Sequence, residues 1–200
     1  MKHICFAALF VLAGIASAVQ AQDIFDVSLR GGVTMCQIDG DNSGPYNKLG
    51  YQAGINSTFT VGGNWRMMVE FNLTNKGSYV NKIDRTISLT YVEVPMMLTY
   101  GFNEGRLRLG AGIAPGILAK AHVSTSGEYE PTQSRNYRRF DALPVCAELS
   151  YRWSDHMAVF CRYSRSMVNI AKSQSGTYVL VYGNSGQFNR FITAGLSYTL

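Results

Sequence analysis

From Asp23 to Leu200, apolar residues alternate with small or polar ones along most of the chain. In the first such segment Phe25, Val27, Leu29, Gly31, Val33 and Met35 share one face. Asp26, Ser28, Arg30, Gly32, Thr34 and Cys36 share the other. A period of two places successive side chains on opposite sides of an extended backbone, so the segment reads as a β-strand. The pattern predicts eight strands, near 24–36, 48–61, 64–76, 84–100, 105–120, 139–153, 156–170 and 187–200. Each is roughly twelve residues, enough to cross a bilayer at a tilt. In the fourth, the apolar positions Ile87, Leu89 and Tyr91 give way to Val92, Val94, Met96, Leu98 and Tyr100. That change of phase predicts a β-bulge just ahead of Pro95.

The connections are of two kinds. Gly62-Gly63, Asn103-Glu104-Gly105 and Ser154-Asp155 are short and rich in turn residues. Residues 37–47, 75–83, 121–138 and 171–186 are long and polar, and the two kinds alternate strictly. Aromatics flank the short turns: Phe59 and Trp65, Tyr100 and Phe102, Tyr151 and Trp153. The expectation is an all-β fold, an eight-stranded antiparallel up-and-down transmembrane β-barrel with short periplasmic turns, long extracellular loops and an interfacial aromatic belt. Tyr178 to Tyr182, an apolar stretch in the last loop, is expected to extend a strand or cover the mouth.

The N-terminus stands apart. Lys2 and His3 precede an uncharged apolar run from Ile4 to Val19, with small-x-small sites ending at Ala18 and Ala21. This predicts a signal peptide over 1–21, cleaved after Ala21, and a barrel domain over 22–200. The chain carries a formal charge of +5, lowered to +4 by loss of Lys2. That is too mild and too dispersed for nucleic acid. Charged residues make up 16% of the chain, against about 25% in an ordinary soluble domain. Three cysteines remain, Cys36, Cys146 and Cys161. The last two lie on opposite faces of neighbouring strands and read as packing residues, not a bridge.

Alternation turns Arg30, Arg66, Glu70, Glu93, Arg106, Arg108, Glu148, Arg152 and Arg162 inward. An eight-stranded barrel has room inside only for side chains, so these charges are expected to pair as a structural plug. A conduit lined by the surplus arginines is the alternative. Asp39-Gly40-Asp41-Asn42-Ser43-Gly44 begins like a calcium loop, but position twelve is Gly50 instead of Glu, so an Asx-rich turn is expected and no metal or cofactor is assigned. His122, near Ser124 and Ser126 with Glu128 and Glu130 to orient it, is the one candidate base for a lipid-active enzyme, and no catalytic role is assigned to it. Pro95, Pro115 and Pro144 each remove a ladder donor on adjacent strands, which raises a lateral opening as an alternative to ordinary bulges. Lys76, Lys82, Arg135, Arg138, Arg139 and Lys172, read as outer-loop cations, are expected to face outer-membrane lipid and lipopolysaccharide phosphates.

The stretch Gln37-Ile38-Asp39-Gly40-Asp41, then Tyr46-Asn47-Lys48, Gly50 and Ala53-Gly54, resembles the first hairpin of the PorT-type outer-membrane β-barrel family. Tyr91 to Pro95, Tyr163-Ser164, Asn169-Ile170 and Asn189-Arg190 extend the similarity. The resemblance implies an eight-stranded barrel in the outer membrane of a Gram-negative cell, and little chemistry. Thr193 to Leu200 resembles the closing strand signal read by barrel-assembly machinery, although it ends on Leu and not on an aromatic residue. Together these predict a monomer acting in surface interaction or envelope integrity. A transport or protein-secretion accessory component, a lipid-active enzyme and a soluble lipocalin-type barrel are the competing readings.

Overall fold

A computed structural model describes residues 25–40, 46–171 and 186–200. The signal segment, Asp41, Lys172 and the Tyr178–Tyr182 stretch lie outside the described residues. The wall is built from β1 (Phe25–Asp39), β2 (Lys48–Gly62), β3 (Trp65–Val80), β4 (Arg85–Glu93), β5 (Met96–Phe102), β6 (Leu107–Ile113), β7 (Gly116–Thr125), β8 (Glu128–Tyr129), β9 (Phe140–Asp141), β10 (Pro144–Arg152), β11 (Met157–Ser166) and β12 (Phe188–Thr199). Three wall strands are each interrupted once, so β4 with β5, β6 with β7 and β9 with β10 run on as single strands. Eight antiparallel strands result. The last pairs with the first, Leu29 with Tyr198 and Val33 with Ala194, and the barrel closes. Closure leaves no open sheet edge within the apolar girdle, the condition for a sheet to stand in lipid.

The outward residues at mid-height are large, apolar and uncovered: Leu29, Val33, Ile55, Phe71, Leu98, Leu149 and Val159. An apolar girdle of that extent does not face water. At the end with short turns, Trp65, Tyr100 and Phe102 form an edge-to-face string with centroids 4.9 and 4.8 Å apart. The turns there use left-handed backbone at Gly63, Asn103, Glu104 and Gly105.

The structure corrects two expectations. The fourth strand has no phase slip: Ile87, Leu89, Tyr91, Glu93, Pro95, Met97 and Thr99 all face inward, and the pairing of β3 runs on without a shift from β5 to β4. The apolar positions change faces because the surroundings do. Within the girdle the outside is oily; beyond it the outside is wet and the lumen is oily. The extra residue sits next door, in β7, where the register with β4 shifts between Thr90 and Tyr91. Second, residues 75–83 are not a long loop. β3 continues to Val80 and pairs residue by residue with β4 around a 3-10 turn at Asn81–Ile83, with Asp84 left-handed. Its polar composition reflects a hairpin standing clear of the lipid.

Ile55 and its cross-strand partner Phe71 lie midway up the girdle. Replacing Ile55 with Arg is expected to cost about 2–4 kcal/mol in denaturant unfolding from lipid vesicles.

Candidate functional site: the filled lumen and the first-hairpin clamp

Four of the inward charges meet at mid-height. Arg162 on β11 donates from Nη1 and Nη2 to Glu70 Oε2 and Oε1 at 2.8 and 2.6 Å, and from Nε to Glu148 Oε2 at 2.8 Å. Arg30 on β1 reaches the same two carboxylates, Glu148 Oε1 at 2.8 Å and Glu70 Oε1. Asn72 Nδ2 donates to Glu70 Oε2 at 2.6 Å. The Phe160 ring lies 3.7 Å from the Arg30 guanidinium. Two cations and two anions, each shared, form a neutral square, and Glu70 and Arg162 are 1% and 2% exposed. Burying an ion is costly, and only such reciprocal pairing offsets it.

Glu93 lies toward the long-loop end and does not join the square. Its partner is Lys76 Nζ at 2.6 Å, with Asp141 Oδ2 at 3.8 Å and the Tyr91 and Phe191 rings beneath the ammonium at 4.5 and 4.8 Å. Lys76 is therefore a lumen residue, wholly buried, and not a loop cation facing lipid. It shares the parity of Arg66 and Glu70; extending the third strand past residue 76 was the missing signal. Asp141 and Asp26 were also missed. Next to the Lys76 cluster, Ile38, Ile87, Leu89, Tyr91, Val123, Tyr137 and Ile170 pack into an apolar stopper.

At the short-turn end Arg66 pairs with Asp26, both partly exposed. Arg106, Arg108 and Arg152 point into the same mouth. They make no ion pair among the described residues, so the expectation that every inward charge is paired fails for these three.

The first-hairpin motif is a clamp. The β2–β3 ladder ends at Gln52 and Thr74, and beyond it the two strands part. Asn47 bridges the gap as a surrogate backbone: its Oδ1 accepts from the Tyr79 N–H at 3.2 Å and its Nδ2 donates to the Tyr79 carbonyl. Lys48 Nζ donates to Asn75 Oδ1 at 2.8 Å, and Asn75 Nδ2 donates onward to Ser88 and Thr90, both at 3.0 Å. Gly77, at φ 143°, admits this crossing, since a Cβ there would lie 1.9 Å from the Ile87 carbonyl oxygen and 3.3 Å from the Lys48 stem. Gln37 Oε1 accepts from the Tyr46 N–H at 3.1 Å while its Nε2 donates to Asp39. Asp39 sits between Arg165 and Arg190 at 3.3 and 3.1 Å, so its carboxylate serves the directly paired arginines. Gly40 takes the left-handed turn that follows, with φ 91°.

The remaining candidates resolve plainly. His122 is exposed on the outer wall and stacks on Tyr129, centroids 4.8 Å apart. His156 Nδ1 lies 3.0 Å from the Thr199 carbonyl at the short-turn end. The prolines do not open the wall. The Glu70 N–H donates to the Pro95 carbonyl at 2.9 Å, Val94 to Pro115 at 2.9 Å and Ala114 to Pro144 at 2.8 Å, so the ladder runs across them. Cys36 and Cys146 are buried, Cys161 is exposed on the outer face, and all three are free.

The chain belongs to the outer membrane protein beta-barrel domain family, whose profile matches residues 20–172. It is a small β-barrel of the outer membrane. No curated protein sequence matches it. Among solved structures, Ail, the attachment invasion locus protein of Yersinia pestis, is similar with a TM-score of 0.55 at 16% identity, over 88% of this chain and 98% of Ail. A second crystal structure holds Ail in complex with the heparin analogue sucrose octasulfate. Neisserial surface protein A, NspA, is similar with a TM-score of 0.51 at 12% identity, over 88% of this chain and 97% of NspA. At these identities the likeness is one of fold.

Glu70→Ala leaves two guanidiniums sharing one carboxylate and is expected to cost about 3–5 kcal/mol in denaturant unfolding from detergent micelles. Asn47→Ala removes both bridges to Tyr79. A loss of about 1–3 kcal/mol, with faster amide exchange confined to Tyr79 and its neighbours, is the expected result.

Proposed function

We propose that this member of the outer membrane protein beta-barrel domain family acts through its long-loop end, in surface interaction or envelope integrity, and that its lumen is a structural plug. The carrying observation is the lumen itself. The Arg30–Glu70–Glu148–Arg162 square and the apolar stopper around Tyr91 fill it at two levels. The interior thus offers little to a permeant, and chemistry falls to the surfaces. The long-loop end presents Ile83 uncovered on the β3–β4 hairpin, and Tyr129, Arg135 and Arg139 exposed along the stretch after β7 that includes the one-turn helix α1 (Pro131–Ser134). A mixed apolar and cationic tip of this kind suits a contact surface.

In this reading the long loops face outward and both termini face the periplasm. Residues 1–21 are removed as a signal peptide and 22–200 form the mature barrel. The Gln37–Lys48 motif supports a PorT-type subgroup. Arg135 and Arg139 contact lipopolysaccharide phosphates, and Thr193–Leu200 addresses the barrel-assembly machinery of a Gram-negative cell. The barrel acts as a monomer. A non-catalytic role is supported by His122, whose ring is taken up by Tyr129 on the outer wall.

Two measurements test this. The purified barrel in planar bilayers is expected to show no steady conductance; ion currents that grow when the lumen is widened and vanish when it is blocked would favour transport instead. Cells displaying the full chain are compared with cells in which Ser126–Arg138 is replaced by a short Asn-Gly turn. Retention on heparin-coated surfaces is expected to fall at least several-fold while gel mobility of the folded barrel is unchanged. Equal retention would remove this loop from the function. An altered lipid A profile that depends on His122 would restore the enzymatic reading.

A further inference from the structure

The short-turn mouth carries more positive charge than the barrel neutralises. Arg106, Arg108 and Arg152 project into it from the β5–β6 turn, β6 and β10, and Arg66 on β3 lies within electrostatic reach of Arg108. Their nearest acids are few. Asp26 is committed to Arg66, and Glu148 is held in the neutral square. Glu104 and Asp155 belong to the turns, where they border an outer depression shared with Arg106 and Arg152, without closing an ion pair to either among the described residues. Arg108 lies within electrostatic reach of both Arg66 and Arg152, and its Nε is spent on the Gly105 carbonyl at 3.1 Å. Arg106 and Arg152 are tied side by side by the bond from the Arg152 N–H to the Arg106 carbonyl, 2.8 Å. Asp26 also faces Arg108, but Arg106 and Arg152 close no ion pair among the described residues, so the mouth keeps an excess of positive charge.

Below this ring is a cavity of about 70 Å³. Its walls carry hydroxyls, among them Ser28, Thr58, Ser150 and Thr199, together with Arg30 and the two carboxylates Asp26 and Glu148, each already paired with an arginine. Arg30 is 6% exposed, and its Nε–H is buried with no hydrogen-bond partner among the described residues. Like charges crowded in a narrow recess repel one another, and an entering anion relieves that repulsion. One water needs about 10–15 Å³ of such space, so the cavity has room for several waters or for one small oxyanion.

We propose that this vestibule is a binding site for a small oxyanion of the phosphate class. The anion enters from the short-turn end, is gripped by Arg106, Arg108 and Arg152, and has its inner oxygens turned toward the hydroxyls and Arg30. The guanidinium fork matches the spacing of two oxyanion oxygens, which a lysine ring does not provide. The site is blind, because the square behind Arg30 closes the lumen, so it is a holding site and not one end of a conduit. It is independent of the function assigned to the loops. The identity of the solution it meets, the periplasm, rests on the topology proposed above, but binding itself does not.

The test uses the refolded full-length mature barrel in a zwitterionic detergent. Thermal unfolding is followed against inorganic phosphate, with sodium chloride at matched ionic strength as the reference. Phosphate is expected to raise the midpoint saturably and chloride to leave it nearly unchanged. In Arg108→Gln/Arg152→Gln, phosphate affinity is expected to fall at least tenfold. The phosphate-free midpoint should rise, because like charges have been removed. The single variants Arg108→Gln and Arg152→Gln each give a partial loss, which keeps the result readable if the double variant does not fold. Lys120→Gln, on the outer wall near the other end, should bind phosphate as the parent does. A phosphate effect no larger than that of chloride, one retained in the arginine variants, or one lost in Lys120→Gln would overturn the proposal.

Discussion

A bilayer offers no hydrogen-bond partner, and the rest of this structure depends on that constraint. The backbone answers it by joining β12 to β1, so that no strand edge faces lipid. Even the three prolines obey it. Each lacks an N–H, but each lends its carbonyl to the neighbouring strand, and the row they form is a crease in a continuous ladder. Closure then traps a narrow lumen, and the same scarcity of partners applies inside. A charge placed at mid-height must find its opposite on another strand, a demand that lapses only at the mouth, where Arg106, Arg108 and Arg152 sit. The Arg30–Glu70–Glu148–Arg162 square does so with no net charge left over.

One coordinate of each strand residue was legible in the sequence and the other was not. Parity identified the strands and turned Arg30, Glu70, Glu148 and Arg162 inward, because lipid enforces alternation strictly. Height along the strand was not legible in the same way. Alternation says which face a residue occupies but not what lies outside that face. Tyr91 and Val92 therefore looked like a slip, when they mark the level at which the oily side passes from the outer wall to the lumen. Lys76 was misplaced for a related reason: a polar stretch reads as a loop, yet beyond the lipid a strand pays no penalty for polarity. The clamp at Asn47 was recognisable as a motif, but its role was hidden, since nothing local signals that β2 and β3 separate above Gln52.

The comparisons fit this division of labour. At 12–16% identity, Ail and NspA share the closed wall with this chain over 88% of its length. The alternation that a membrane imposes is met by many sequences, whereas the tips are free to differ. The two ends of this wall are unlike: one an apolar-stoppered platform of hairpins, the other an open arginine-ringed cup.

The square also has a meaning for how the chain reaches its final state. Its members come from the first, third, sixth and seventh strands of the wall, and the Arg30–Glu148 contact spans 118 residues of sequence. Glu148 and Arg162 face each other within the β10–β11 hairpin, while Arg30 and Glu70 come from the other side of the seam. Each half is neutral by itself, but the crossed contacts Arg30–Glu148 and Arg162–Glu70 need the first and last strands to be joined. The final seam therefore turns two separate couples into one interlocked set, and ties the order of the interior to the closing of the wall.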